Sequence, residues 1–186
     1  MTLPSRALPL ATSRLLLRPS GAGEAERAFE IQSNWNVTRM LRMAAWPPER
    51  RDIAGWFASH EREWAEGSAY RFTIILKERM IGLIDLDAIH DRTADLGYWL
   101  GEAFWGRGFA REAGDAVVRF AFEEAGMRGL RSGHADDNPA SGRVLLALGF
   151  VFIDAITIPS RSRGGLIVQR RYRLAGPPHP GDEPER

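Results

Sequence analysis

A strand-to-helix turn with two glycines decides how this chain folds: Trp105-Gly106-Arg107-Gly108-Phe109-Ala110. Residues 94–100 before it have strand character, and residues 109–125 after it place apolar side chains at helical spacing. The first turn of a helix has unpaired N–H groups and a partial positive charge, so it suits a phosphate. Glycines let the backbone approach an anion and adopt left-handed angles. The turn therefore predicts an anion site, although a turn without a ligand has the same pattern.

Two arginines support an anion at this turn. Arg107 and Arg111 lie at the start of the predicted helix, where basic side chains are normally unfavourable. Two common phosphate motifs do not fit the sequence. A Walker A loop needs lysine and a hydroxyl residue where Arg107 and Gly108 stand, and a dinucleotide fingerprint needs glycine in place of Glu112.

Outward from the turn, hydrophobic periodicity predicts an α/β protein with a mixed sheet and helices against its faces. Strands are predicted at 14–18, 70–76, 80–89, 94–100, 130–135, 151–158 and 166–174, and helices at 24–33, 49–66, 109–125 and 138–148. The element order is β-α-α-β-β-β-α-β-α-β-β. We expect a flexible N-terminus over 1–11, one domain over 12–174 and a disordered, proline-containing tail over 175–186.

Composition limits the classes of partner. The 186 residues, 44% hydrophobic and 26% charged, fit one soluble domain. A net charge of +1 gives no global attraction to nucleic acid or anionic lipid, so we expect neither as a partner. No stretch approaches the ~20 apolar residues of a membrane span, and no membrane association is expected.

The cysteine and histidine content bears on redox chemistry and on metals. The chain has no cysteine, which excludes disulfides and thiolate nucleophiles and fits the reducing cytoplasm, where we expect the protein. The four histidines are far apart and lack the pair spacing of a metal site. We therefore expect no metal.

Three motifs in order resemble those of the GNAT N-acetyltransferases, and in particular the RimJ/RimL-like subgroup. They are Asp95-Leu96-Gly97-Tyr98-Trp99-Leu100 with the glycine turn and its continuation to Ala113, then Asn138-Pro139-Ala140-Ser141 with Leu148-Gly149-Phe150, and Thr12-Ser13-Arg14-Leu15-Leu16-Leu17-Arg18 at the start. The resemblance covers about residues 12–174 and implies the GNAT fold. It also implies acetyl-CoA as co-substrate.

The same resemblance implies where the coenzyme binds. Its pyrophosphate is expected on the backbone of Arg107, Gly108, Phe109, Ala110 and Arg111. The strands at 94–100 and 130–135 are expected to splay apart, so that the pantetheine arm pairs with an exposed edge near Trp99 and Leu100. Asn138 matches the position that binds the arm, and Ser141 a position near the thioester sulfur.

One departure from the family concerns the proton donor to the leaving thiolate. Many relatives have a tyrosine in the last helix at the position of Leu145. Ser141 is a candidate acid in its place, as in some RimJ/RimL-like relatives, and the alternative is that Ser141 caps or packs the helix start. A thiol with a pKa near about 8.5 also leaves without an acid.

Attack on a thioester requires a neutral amine, so a base that removes the ammonium proton is expected. Alternation puts Asp85 and Asp87 on one strand face among apolar residues, and Asp95 begins the family motif. Asp85 and Asp95 are predicted in preference to His90. The alternative for Asp87, His90 and Asp91 is a solvated strand end and turn.

The leading function is an N-acetyltransferase that moves acetyl from acetyl-CoA to a primary amine by direct attack in a ternary complex. The subgroup suggests protein N-termini as acceptors, and small-molecule amines stay open because one fold serves many acceptors. The rival is a non-catalytic acyl-CoA-binding module, which Leu145 makes conceivable. We expect a monomer or a homodimer.

Overall fold

The computed structural model describes residues 4–6 and 9–177. In this part of the chain, eight strands form one sheet: β1 Leu10–Ala11, β2 Leu16–Pro19, β3 Tyr70–Leu76, β4 Arg79–His90, β5 Thr93–Leu100, β6 Gly129–Ala135, β7 Val151–Ser160 and β8 Gly165–Ala175. The α-helices of the described residues are α1 Ala25–Gln32, α2 Trp35–Thr38, α3 Arg50–Glu66, α4 Phe109–Glu123 and α5 Pro139–Ala147. The predicted α/β class with a mixed sheet is confirmed.

Two short elements were not predicted. Strand β1 has two residues and helix α2 has four, which is too short for hydrophobic periodicity to reveal. Leu10 and Ala11 pair with Leu17 and Leu16, so the sheet begins two residues before the predicted domain start at residue 12. It ends at Ala175, one residue beyond the predicted domain end. Residues 178–186 of the predicted tail and residues 1–3 and 7–8 of the predicted N-terminus lie outside the described residues.

The strand order in the sheet is β1-β2-β3-β4-β5-β6-β8-β7. Every pair is antiparallel except β5 and β6, which run parallel. These two pair only where Thr93 to Asp95 meet Gly129 to Arg131. Beyond that point β5 remains paired with β4, and β6 remains paired with β8. The sheet therefore opens into a fork between β5 and β6, as the resemblance implied.

Apolar residues form a core on each face of the sheet. Leu83 and Ile84 are neighbours in β4 and belong to different core clusters, because successive side chains of a strand point to opposite faces. Val117 and Phe120 bring α4 into one cluster, and Phe57 brings α3 into the other. Helices therefore pack against both faces of the sheet.

None of the helices in the described residues has the length and apolar content that crossing a membrane requires.

Candidate active site

The glycine turn ends in a left-handed residue at the N-cap of α4. Gly106 and Gly108 have φ angles of +69° and +79°, which side chains disfavour. The first backbone hydrogen bond of α4 runs from Glu112 N to Gly108 O, at 3.0 Å. The amides of residues 109–111 precede it and have no partner within the helix. They form the anion-binding end that the sequence predicts.

A cleft of about 450 Å³ lies between this turn and the fork. Its walls are the glycine turn and the first turn of α4, the edge of β5, the end of β6 and the start of α5. Of the residues predicted to bind the coenzyme, Arg107 does not line this cleft. The others do, namely Trp99, Leu100, Gly108, Phe109, Ala110, Arg111, Asn138 and Ser141. The carbonyl of Arg107 accepts a hydrogen bond from Arg14 Nη1, and Arg14 does not line the cleft. Residues from distant parts of the sequence therefore meet around one cavity.

The edge of β5 presents main-chain groups to the cleft. Gly101 N donates to Ile81 O at 2.8 Å, so alternation turns the main chain of Leu100 and Tyr98 toward the fork. The carbonyl of Leu100 accepts from Trp105 Nε1 at 2.8 Å. The amide and carbonyl of Tyr98 and the amide of Leu100 remain for an extended ligand. By the same alternation the main chain of Trp99 faces β4.

The start of α5 excludes one of the roles considered for Ser141, that of a helix cap. Asn138 caps the helix, because its side-chain oxygen accepts from Ser141 N at 3.4 Å. The Ser141 hydroxyl is instead 2.7 Å from the Tyr98 hydroxyl. Burial raises the pKa of Tyr98 to about 12, so its phenol stays protonated. Ser141 Oγ is therefore a hydroxyl at the cleft wall that does not cap the helix, and its contact with Tyr98 fits both packing of the helix start and the predicted role as a proton donor.

A second cavity of about 490 Å³ lies on the other side of the fork. Both cavities are lined by Gly97, Tyr98, Trp99, Gly133 and His134, so they meet where β5 and β6 separate. The second cavity is also lined by Asp85, Asp87, Arg71 and Trp56. A ligand in the cleft and another in the second cavity would approach each other through the fork.

Asp85 is a buried carboxylate in this second cavity. It is hydrogen-bonded to Arg71, whose guanidinium also binds Glu63 at 2.7 Å and lies 3.5 Å from Asp87. Burial raises the pKa of Asp85 to about 7, with Arg71 opposing this and Asp87 adding to it. A Cβ atom on Gly97 would lie 2.6 Å from Asp85 Oδ1, so the glycine leaves room for the carboxylate. Such a pKa suits a group that accepts a proton near neutral pH.

Asp95 and His90 lie elsewhere. The Asp95 side chain is 48% exposed, forms an ion pair with Arg131 at 2.7 Å and lines neither cavity. His90 is exposed and lies 3.1 Å from Asp91. Asp85 and Asp95 were both predicted as candidate bases; Asp85 lies in the second cavity, whereas Asp95 lies at the last residue pair between β5 and β6, and the choice of base stays a prediction. Asp87, for which a solvated strand end was the alternative, lines the cavity at its half-buried edge.

The model of the acetyltransferase (GNAT) domain matches residues 14–151. This chain belongs to the GNAT acetyltransferase family. It is 27% identical over 164 residues to the uncharacterized N-acetyltransferase p20 of Bacillus licheniformis, covering 85% of this chain and 90% of that protein. It is 29% identical over 125 residues to the ribosomal-protein-serine acetyltransferase of Escherichia coli strain K12, covering 62% and 68%.

Solved structures show the same fold. RimL, a ribosomal L7/L12 alpha-N-protein acetyltransferase in complex with coenzyme A, superposes with a TM-score of 0.81 at 18% identity. The match covers 91% of this chain and 98% of that one. The chain is accordingly an N-acetyltransferase of the GNAT family, and the relatives and structures to which it is similar include ribosomal-protein acetyltransferases.

Several residues of this GNAT site had no predicted role. Arg71 is a single charge within the apolar strand run of residues 70–76, a pattern that indicates a buried ion pair. Tyr98 lies in the quoted family motif, but its bond to Ser141 joins positions 43 residues apart. Leu145, at the position of the family's tyrosine, is fully buried in the core, so no side chain there reaches the cleft.

Proposed function

We propose that this protein transfers the acetyl group of acetyl-CoA to a primary amine by direct attack in a ternary complex. The observation that carries the proposal is the meeting of two cavities at the fork, one lined by main-chain groups of β5 and the other by the buried carboxylate of Asp85 and the half-buried one of Asp87. Acetyl-CoA supplies the reactive acetyl thioester.

The cleft has the groups that an acyl coenzyme needs. The amides of residues 107–111 at the start of α4 are proposed to hold the pyrophosphate, with Arg107 and Arg111 adding positive charge. The free main-chain groups of Tyr98 and Leu100 are proposed to pair with the amide groups of the pantetheine arm. The side chain of Asn138 lines the same cleft and is proposed as a further partner of the arm. The helix start, the edge of β5 and the Asn138 side chain together support the binding of an extended, phosphorylated ligand in this cleft.

Asp85 is proposed as the base. The amine forms a bond from nitrogen to the acetyl carbon while the bond from that carbon to sulfur breaks, and the amine must lose a proton. The Asp85 carboxylate lines the acceptor cavity and its pKa of about 7 lets it accept this proton, directly or through water. The hydroxyl of Ser141, held by Tyr98, is proposed to give a proton to the departing sulfur.

The acceptor is proposed to be a protein N-terminus or a small-molecule amine. The carboxylates of Asp85 and Asp87 attract an ammonium group toward the fork, although Arg71 partly neutralises them. The name of the Escherichia coli relative, which acts on a ribosomal protein, favours the N-terminal amine. The cavity volume of about 490 Å³ accommodates the first residues of an extended chain.

Release of free thiol tests the proposal. The protein is incubated with acetyl-CoA and a panel of amines that includes peptides with different first residues, and mass spectrometry identifies the acetylated product. We expect amine-dependent thiol release with at least one acceptor. Tight acetyl-CoA binding by calorimetry with no thiol release on any amine would contradict the proposal and favour a binding module.

A further inference from the structure

The segment of residues 12–14 is bound to the first turn of α4 through one carboxylate. Glu112 Oε1 accepts hydrogen bonds from Thr12 Oγ1 at 2.6 Å, from Ser13 Oγ at 3.0 Å and from the Arg14 amide at 2.8 Å. Glu112 Oε2 accepts from Arg14 Nε at 2.6 Å. The N-terminal segment is therefore fixed to the helix that follows the glycine turn.

This carboxylate is ionised. Burial favours the neutral acid, but the hydrogen bonds from Thr12 and Arg14 outweigh it and lower the pKa of Glu112 to about 2. A negative charge suits a helix N-terminus by itself. It also repels any second anion bound there, so Glu112 does not help to attract a pyrophosphate. Its four hydrogen bonds point to another role.

Arg14 connects the carboxylate to the glycine turn. Its Nη1 donates to the carbonyl of Arg107 at 3.0 Å, and its guanidinium lies 4.5 Å from the centre of the Phe109 ring. The Arg107 carbonyl and the Gly108 N–H belong to one planar trans peptide and point in opposite directions. When Arg14 holds the carbonyl, the amide of Gly108 is turned away from Arg14. Gly108 lies between the coenzyme cleft, which Arg14 does not line, and a separate surface cavity of about 600 Å³, which Arg14 and Glu112 line.

We propose that Arg14 and Glu112 are positioning residues of the coenzyme site. Glu112 fixes Arg14, and Arg14 turns the Arg107 carbonyl away from the anion and the Gly108 amide toward it. The inference rests on the proposed assignment of this turn to the pyrophosphate. It differs from a direct role of Arg14 in binding phosphate, because Glu112 would then only weaken the site.

The substitution E112Q separates these roles by the sign of its effect. It removes a negative charge beside the anion site, so electrostatics alone predicts tighter binding of acetyl-CoA. Loss of positioning predicts weaker binding, and we expect the Kd of acetyl-CoA from calorimetry to rise roughly tenfold. The KM for acetyl-CoA should rise with it, while kcat at saturating coenzyme changes little, since neither residue lies at the fork.

Arg14 variants test the other half of the pair. R14A should raise the Kd as much as E112Q does. The Kd of the double variant should be no higher than that of either single variant, because each substitution breaks the same set of contacts from Glu112 through Arg14 to the Arg107 carbonyl. R14K should not restore binding. A lysine ammonium lacks the planar guanidinium that binds Glu112 and the Arg107 carbonyl at the same time. Binding by R14K equal to that of wild type would overturn the proposal in favour of a simple charge effect.

A matched control is the exposed ion pair of Arg171 and Asp154, which lines neither cavity. D154N and R171A should leave the Kd of acetyl-CoA unchanged. If E112Q does not fold, S13A and T12V each remove one hydrogen bond to Glu112, and together they should raise the Kd by a smaller factor. An unchanged or lower Kd in these variants overturns the inference, whereas failure of the wild-type chain to bind acetyl-CoA overturns the proposed function.

Discussion

At the scale of the residue, Asp85 combines burial with a charged partner. Its carboxylate lies between Arg71 and Gly97, and a side chain at position 97 would occupy its space. Burial and the neighbouring Asp87 raise its pKa to about 7 against the effect of Arg71. Asp95, on the next strand, is exposed and paired with Arg131. Two carboxylates of similar sequence context thus differ in environment.

We expect D85N to lower kcat/KM for the amine by roughly 10²- to 10⁴-fold, because it removes the proposed proton acceptor. In the wild-type chain the ionised form accepts the proton, so kcat/KM should fall as pH drops through about 7 and Asp85 becomes protonated. In D85N the component near pH 7 should disappear when thiol-release rates are measured across pH, and only the limb from protonation of the amine itself should remain, at the amine's own pKa of about 8 for a protein N-terminus or higher for an alkylamine. D95N is the matched control and should retain both activity and the pH profile. A component near pH 7 that persists in D85N with an alkylamine acceptor would assign the base elsewhere.

At the scale of the element, the start of α5 combines a structural function and a proposed binding function in one residue. Asn138 caps the helix through its side-chain oxygen and lines the coenzyme cleft. The helix itself packs closely on β6, since a Cβ atom on Gly142 would lie 2.6 Å from His134 Nε2. The position of the cap therefore also sets the position of the Ser141 hydroxyl.

The variants N138A and N138D separate these functions. N138A removes the cap and should cost about 1 kcal/mol of folding free energy, measured by denaturant unfolding. N138D keeps a capping oxygen and should be as stable as the wild type. Both lose the amide donor, and both should bind acetyl-CoA more weakly in calorimetry. Wild-type affinity in N138D would remove Asn138 from the coenzyme site.

At the scale of the whole molecule, the site depends on the division of the sheet. Strands β4 and β5 belong to one half, and β6, β8 and β7 belong to the other, joined by three parallel residue pairs. Helix α4 packs on the first half, and α5 contacts both α4 and β6. A ligand in the fork contacts both halves, so its binding should stabilise the complete fold.

Saturating acetyl-CoA should therefore raise the Tm. At one hundred times the Kd, binding adds about 2.7 kcal/mol, which corresponds to roughly 5–10 °C for a chain of this size. G108V should abolish the shift in differential scanning fluorimetry, because a β-branched side chain disfavours the φ angle of +79°. G67V is the matched control: Gly67 has φ of +68° at the end of α3, away from the cleft, so that variant should lose stability but keep the shift. A shift in G108V equal to that of wild type would contradict the pyrophosphate assignment.

The local features of this protein were determined by the sequence alone. The glycine turn, the start of α4, the hairpin of β3 and β4 and the capped start of α5 all follow from residues close together in the chain. Their backbone angles depend on neighbouring residues, on glycine and on hydrophobic spacing, which are visible without a partner. The family motifs contained the same local information and predicted which residues line the cleft proposed for the coenzyme.

Only the tertiary structure decided the neighbours of the chemically active side chains. The pairing of Arg71 with Asp85 depends on the register between β3 and β4, and the exposed ion pair of Asp95 with Arg131 depends on the register between β5 and β6. The contact of Glu112 with residues 12–14 joins positions about 100 residues apart. Such contacts arise because separate elements bury their apolar faces together, and a one-residue change in register would turn each side chain to the other face.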